Sequence, residues 1–547
     1  MSQENFVIYG QPCLIDYTDN KTLGEFVLKS LKANGNGCAI IDGVTGESIT
    51  YDRLLDRALT LVKYLQGKGI GIGDTIGLCC ENRIEFPIVV FATIFCGASL
   101  STINPRYVNR EIKHVVDLVT PKIIFVTSST TKSILEVCKD ASFVREIIEI
   151  GQSSSIQAAA GIQRLNDILL NDPMYKMDEK ELKLQVFDKT QNEAFILMSS
   201  GTTGLPKGVV LTDLNILESL AFAEETRRSM YTVTNAVSLG ILPWFHTYGL
   251  MTLIGLITKG VKFVCLPRFE EKTFLNALQT YKITHASLVP PLMVFLAKNP
   301  NVLKYDLSNL RELYYGAAPL GKETEIEVKQ RIPNLTKVQQ GYGLTEATLT
   351  VLGIRDLAPI GGSVGKVTAK TWCKVLDVET GEILGPNKSG ELCFKGPSIM
   401  KGYYRNTQAT KETIKDGWLH TGDIGYYDEN LNFYIVDRLK ELIKYNGFQV
   451  APAELEALLL THPAVKDAAV IGQPNVQTGE LPTGFVVLKD NYEASEEEIT
   501  NFIADRVSNP KKLRGGIYFV KEIPKNPSGK ILRRILREMI VEPKSKL

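Results

Sequence analysis

The chain has almost no net charge: 62 lysines and arginines against 61 aspartates and glutamates leave +1. That excludes a global field able to gather nucleic acid or an anionic membrane. Its nine cysteines include no C-x-x-C pair, which argues against a disulfide framework or a zinc cage and fits a reducing compartment. The opening residues MSQENFVIYG lack a basic stretch followed by an apolar run, so no secretory signal is expected. Internal repeats and low-complexity segments are also missing. One uncharged run, Phe86 to Ile103, reaches 18 residues, the lower edge of a membrane span. Pro87 and Gly97 interrupt it, and Arg83 and Glu85 flank it, so a helix buried between layers is expected instead of a span.

At 547 residues the chain is too long for one hydrophobic core and should form two or more domains. Hydrophobic residues at 44% and charged residues at 22% are ordinary for a globular protein. Over the first 430 or so residues, short β-branched runs such as 38–42, 74–80, 122–127, 194–200, 236–242 and 261–267 alternate with helical patterns. The stretch 51–69 is one such helix, opening after Ser48 and Thr50 and closing on Gly67. This alternation predicts an α/β fold of layered, largely parallel sheets with packed helices. Around 360–435 short strands between Gly, Asn and Asp turns predict an antiparallel subdomain. The charge-dense segment 437–447 reads as a linker. Beyond it, Pro452 with Glu454 and Glu456 should open a helix, the two acids suiting its first turn. Strands at 468–473, 483–489 and 516–523 and a helix at 496–507 complete a small α+β domain. The expected division is 1–436, a hinge at 437–440, and a mobile unit at 441–547.

Residues 199–208, SSGTTGLPKG, resemble a phosphate loop but fail the P-loop pattern at Pro206 and Gly208. Glycines 201, 204 and 208 let the backbone turn with N–H groups facing one cavity. Ser199, Ser200, Thr202 and Thr203 add neutral donors and Lys207 a mobile charge, a set suited to a polyphosphate. A flexible surface hairpin is the alternative. In QQGYGLTEAT (339–348), Tyr342 stands between Gly341 and Gly343, placed to stack on a flat base. Thr345 beside Glu346 offers a hydroxyl and a carboxylate for Mg²⁺. In GWLHTGDIGYYDE (417–429), Asp423 in a Gly-Asp turn could grip a ribose. Asp437, Arg438 and Lys440 cluster in the linker. Lys530, after Ser528 and Gly529, precedes a basic amphipathic helix. The last three residues, Ser545, Lys546 and Leu547, read as a receptor-read peroxisomal address, with a solvated basic tail as the alternative.

Together these stretches resemble the acyl-adenylate-forming superfamily of acyl-CoA synthetases, coumarate–CoA ligases and beetle luciferases. SSGTTGLPKG, YGAAPL, QGYGLTE, GWLHTGD, VDRLKELIKYNGFQVAPAELE and PKNPSGKILRR match its motifs in order across nearly the whole chain. LPRFEE, KYDLSNL and KKLRGG bring insect luciferases and luciferase-like synthetases nearest. The resemblance implies ATP, Mg²⁺ and coenzyme A as reactants and cofactors, a small carboxylic acid as substrate, and the peroxisomal import receptor as partner. It implies that the 199–208 loop holds the β- and γ-phosphates, that Glu346 ligates Mg²⁺, and that Thr345 lies near the phosphates. Gly316, Ala317, Ala318, Gly341 and Tyr342 would line the adenine and acyl pocket, and Asp423 with Arg438 would take the ribose. Lys530 would bridge carboxylate and α-phosphate, and His246, in PWFHTYG, would sit beside the acyl site. For thioester formation the small domain would rotate about Asp437, removing Lys530 and bringing in the face with Lys444 and Gly447.

The adenylation motifs do not separate a synthetase from a luciferase, so the acyl pocket must. Where beetle luciferases have two adjacent histidines followed by Gly-Phe-Gly, this chain has Phe245 for the first histidine and Thr247 and Tyr248 for the Gly-Phe pair. Ser219 stands in place of an arginine, Tyr314 and Tyr315 in place of Ala-Ser, and Leu349 and Thr350 in place of Ser-Ala. Bulkier walls and a lost guanidinium favour a luciferase-like acyl-CoA synthetase acting on a fatty or aryl acid, with at most weak light from supplied luciferin. The alternatives are a true luciferase, an adenylating enzyme with another acceptor, and a binding module without catalysis.

Overall fold

The computed structural model describes residues 6–151, 162–170, 175–199, 206–226, 235–318, 320–354, 361–446, 448–475, 477–526 and 529–541. Loop positions Ser200, Gly201, Thr202, Thr203 and Gly204, linker residue Gly447 and the terminal Ser545-Lys546-Leu547 lie outside these.

Two large sheets form the first layers. One runs Gly402–Tyr403, Lys207–Thr212, Glu193–Ser199, Ser99–Ile103, Thr75–Cys79, Ile123–Thr127, Glu146–Ile150, Gln163–Arg164. It is parallel from Glu193–Ser199 onward and antiparallel at its other end. The other runs Lys337–Gln340, Glu312–Tyr315, His285–Leu288, Val237–Gly240, Lys262–Cys265, Cys38–Asp42, Ser48–Thr50, and only its last pair is antiparallel. The helix Tyr51–Gly67 forms as its pattern predicts. Thr50 caps it by accepting from the N–H of Arg53, and Leu54, Leu55, Ala58, Leu61 and Leu65 are buried along one stripe.

The run 86–103 divides. Phe86–Phe95 is a helix with every residue buried. Phe86 lies edge-on to Trp244, which stacks on Phe263 of the second sheet, so this helix does sit between layers. The chain then turns at Gly97, and Ser99–Ile103 is a fully buried strand. The strand's five residues, SLSTI, are buried on both faces and show no apolar–polar alternation by which periodicity would separate strand from buried helix. Among the described residues no helix is long and apolar enough to cross a membrane.

The antiparallel subdomain joins Trp372–Leu376, Gly390–Lys395, Trp418–Tyr427 and Phe433–Arg438, with Ile8–Tyr9 from the start of the chain added at one edge. Asp423 therefore lies in the long strand Trp418–Tyr427 and is 4% exposed, not in a surface turn.

After Arg438 the chain enters the small α+β domain. Its sheet runs Phe448–Val450, Ile443–Tyr445, Gly479–Leu488, Val465–Asn475, with Ile517–Phe519 paired to Gly479–Leu488. Leu455, Leu459, Val470, Val486, Ile499 and Ile503 give it a separate core. The helix Pro452–Leu460 opens with proline as expected, and Glu454 lies in its first turn. Glu456 does not serve the helix dipole. It is buried, accepting from the N–H of Val470 (2.8 Å) and from Arg533 (2.7 Å).

Candidate active site

A cavity of about 610 Å³ opens where loops at the carboxyl ends of the strands Glu312–Tyr315 and Lys337–Gln340 meet the hairpin Glu193–Thr212 and the antiparallel subdomain. Ligands bind at this edge of a parallel sheet because its loops diverge there. Ser199 and Lys207 are direct cross-strand partners in an antiparallel pair, and both line the cavity.

Glu346 sits in the short 3-10 turn Thr345–Ala347. One of its carboxylate oxygens accepts from the hydroxyls of Ser199 (2.7 Å) and Tyr403 (2.9 Å). Lys207 rests 4.7 Å from the centre of the Tyr403 ring, and Thr345 accepts from the Thr247 hydroxyl at 3.2 Å. A carboxylate ringed by hydroxyls in an open cavity suits a hard, oxygen-seeking cation that keeps further positions for phosphate oxygens. Gly343 is required by close approach: a Cβ there would lie 1.4 Å from the Leu349 carbonyl oxygen across the hairpin.

Tyr342 donates to Asp423 Oδ2 at 2.6 Å, and Arg438 Nε lies 3.1 Å from Oδ1. Burial raises the Asp423 pKa, and the Arg438 charge opposes that rise. Both carboxylate oxygens are thus engaged, and Asp423 stands behind the lining residues Gly422, Tyr342 and Arg438 instead of on the wall. A ribose reaches it only by exchanging with those partners.

Lys530 reaches the cavity from the small domain. Its N–H is held by Asn526 Oδ1 (2.8 Å), and the preceding Gly529 lies against Pro291 of the large domain. Burial, with the neighbouring Arg438 charge, lowers the Lys530 pKa to about 8. His246 also lines the cavity. Burial lowers its pKa to about 4, so it is neutral at physiological pH, and its Nε2 has no hydrogen-bond partner among the described residues. Asp437 is buried at the domain junction, accepting from the N–H of Ala453 at 2.9 Å and so capping the helix Pro452–Leu460.

The remaining expected residues divide. Gly316, Ala317, Gly341, Tyr248, Tyr314, Tyr315, Leu349 and Thr350 line the cavity. Ala318, Ser219 and Phe245 do not. Ser219 is buried one turn too early on the helix Asp213–Thr226, whose Phe222, Ala223 and Thr226 face the cavity instead. Phe245 packs its ring on His246, 4.6 Å away, from behind. Lys444 is exposed on Ile443–Tyr445, away from the cavity. Residues the sequence reading missed include Tyr403, Gln339, Gln340, Lys415, His420 and Phe222. The 3.6-residue period of 213–226 could have found Phe222, whereas Tyr403 comes from a two-residue edge strand without a pattern.

Lysines 207, 415, 440 and 530 and Arg438 give five cationic lining residues against three acids, Glu346, Glu391 and Glu412. The excess of cations suits a polyanionic ligand, beside an apolar and aromatic flank and with one lysine lent by the small domain.

The chain belongs to the AMP-binding enzyme family, which it matches over residues 29–404, and it matches that family's C-terminal domain over 454–530. It is 41% identical to luciferin 4-monooxygenase of Photuris pensylvanica over 550 residues, covering 100% of both chains. It is 38% identical to probable 4-coumarate–CoA ligase 1 of Dictyostelium discoideum, covering 95% of each. Its structure superimposes on ATP-bound MatB from Rhodopseudomonas palustris with a TM-score of 0.84 at 26% identity, covering 95% of this chain and 99% of that one.

Proposed function

We propose that this protein is an AMP-forming acid–thiol ligase that activates a carboxylic acid, in our reading a fatty acid, and transfers it to coenzyme A. The observation that carries this reading is Lys530, brought from the small domain into one cavity with Arg438, Lys207 and Glu346. A carboxylate and a triphosphate repel, and charge grows on the leaving pyrophosphate, so fixed cations facing that position lower the barrier. Lys530 would draw the acid's carboxylate toward the α-phosphate; the carboxylate oxygen attacks the α-phosphorus, the bond to pyrophosphate breaks, and the acyl-adenylate forms. Lys207 and Ser199, paired across adjacent strands, would hold the β- and γ-phosphates. Glu346 would hold Mg²⁺, which when bound neutralises phosphate charge. His246, neutral, would border the acyl carbonyl without adding charge.

For the second step, coenzyme A thiolate attacks the adenylate carbonyl and AMP leaves. The exposed position of Lys444 supports a rotation about Asp437 that exchanges Lys530 for Lys444, so one cavity serves two reactions. Tyr248, Tyr314, Tyr315, Leu349 and Thr350 on the wall support an acyl pocket that differs from that of beetle luciferases. Ser219 and Phe245 lend that argument nothing, since neither lines the cavity. The second reading, an ATP-dependent luciferin monooxygenase, is favoured by the 41% identity to a luciferase.

The deciding assay offers ATP with a panel of carboxylic acids, follows AMP and thioester with and without coenzyme A, and records light with luciferin. The ligase reading requires a coenzyme A-dependent thioester from at least one acid. Bright emission with no thioester from any acid would overturn it. Peroxisomal residence belongs to the same proposal, resting on Ser545-Lys546-Leu547. Unaltered import of a variant lacking the tripeptide would refute it.

A further inference from the structure

The strands Gly390–Lys395 and Trp418–Tyr427 pair antiparallel with Cys393 opposite His420. Two residues before Cys393, Glu391 points to the same side. Nδ1 of His420 lies 2.9 Å from Glu391 Oε2 and 3.4 Å from Cys393 Sγ. One ligand-capable atom from each of the three residues falls within 4.8 Å of the others. Glu391 and His420 line the nucleotide cavity, while Cys393 is buried beneath them. Nothing in the proposed reaction uses this cluster.

We propose that Glu391, Cys393 and His420 form a binding site for a borderline-soft divalent transition ion such as Zn²⁺, set into the wall of the nucleotide cavity.

The donor set selects the ion. A sulfur, an imidazole nitrogen and a carboxylate oxygen match Zn²⁺, which takes four ligands at about 2.0–2.3 Å. Donors around such a tetrahedral ion stand about 3–4 Å apart, close to the separations present here without metal. Mg²⁺ prefers oxygen alone and would stay with Glu346 and the phosphates. Three protein ligands leave a fourth position, as in open zinc sites. Before binding, burial and the Glu391 charge keep the Cys393 thiol protonated. Binding forms a metal–sulfur bond and releases that thiol proton to solvent. A neutral His420 moves its remaining proton to Nε2 when Nδ1 ligates. The metal's own charge drives this thiol deprotonation.

The site is tied to the proposed nucleotide-binding machinery through Gly422. Glu391 Oε1 accepts from the N–H of Gly422 at 3.0 Å, and Gly422 immediately precedes Asp423. A metal that draws the Glu391 carboxylate toward Cys393 and His420 weakens that hold and slows adenylation. This coupling rests on the proposed function; the binding site itself does not.

The test titrates metal-stripped, full-length protein with Co²⁺, an optical stand-in for Zn²⁺. A thiolate-to-cobalt charge-transfer band should grow to saturation at one ion per chain. Zn²⁺ should bleach it, and Mg²⁺ should not. Cys393→Ser should abolish the band, and His420→Gln should weaken Co²⁺ binding at least about tenfold, with circular dichroism and melting of the metal-free variants confirming their fold. No band in the unaltered protein, a band that persists in Cys393→Ser, or displacement by Mg²⁺ overturns the site. With the site established, saturating Zn²⁺ should slow acid-dependent AMP formation several-fold in the unaltered enzyme and leave Cys393→Ser unaffected. Equal rates with and without Zn²⁺ would overturn the coupling.

Discussion

Burial beside Arg438 brings the Lys530 pKa down to about 8, which makes its charge a function of pH near the working range. Below that value the ammonium is present, and above it the cation is lost. Acid activation, measured as kcat/KM for pyrophosphate release in the free enzyme, should therefore fall as pH rises through about 8. Lys530→Arg should remove that alkaline limb, because a guanidinium stays charged. Lys530→Ala should lower pyrophosphate release by about 10²-fold or more, with an unchanged fold by circular dichroism. Glu346→Gln should raise the Mg²⁺ concentration needed for half-maximal rate. An unchanged Mg²⁺ requirement would remove Glu346 from that role. At this scale the sequence was most legible where chemistry concentrates in a short motif: Lys530, Glu346, Thr345, Tyr342 and Arg438 all reach one cavity. It was least legible where a side chain acts from behind. Asp423 reads in sequence as a Gly-Asp turn residue open to a ribose, yet strand pairing with Phe433–Arg438 buries it against Tyr342.

Among the elements, the helix Asp213–Thr226 presents Phe222 to the acyl flank, close to where the Gly353 backbone passes. A Cβ on Gly353 would lie 3.1 Å from the Phe222 ring, so the glycine makes room for that side chain. Phe222→Ala should enlarge this end and shift acid preference toward bulkier chains by about tenfold. Competition between two acids measures it, and an unchanged ratio would place the acyl group elsewhere. The helix Arg533–Val541 has a different task. Arg533 meets Glu441 at 3.0 Å and Glu456 at 2.7 Å, joining the turn after Arg438 to the small domain's core. Arg533→Met leaves two carboxylates without their shared cation and should cost about 3–5 kcal/mol, read as a lower denaturation midpoint of the small domain. The basic amphipathic helix after Lys530 was legible in the sequence, but its ion pairs were not. Glu456 and Arg533 stand 77 residues apart, and local pattern carries no information on such a contact.

Over the whole molecule, the layered α/β body and the small α+β unit were readable because strand and helix alternation survives along the sequence. The division of 86–103 into helix and strand was not, because both pieces are buried on all sides. Domain orientation is outside the reach of sequence pattern altogether. Here Gly529 packs on Pro291 and Lys298 donates to the Leu460 carbonyl at 3.3 Å, which holds Lys530 inward while Lys444 faces out. Lys444→Ala should therefore spare adenylate formation and slow thioester formation, the reverse of Lys530→Ala. Equal losses in both steps would contradict an exchange of faces. The central claim is that one cavity performs two reactions in order. Its most direct test is a single-turnover experiment with labelled acid, ATP and coenzyme A, sampled by rapid quench. The acyl-adenylate should rise and then decay into a coenzyme A thioester; an adenylate that accumulates and never passes to the thiol would contradict two reactions in one cavity.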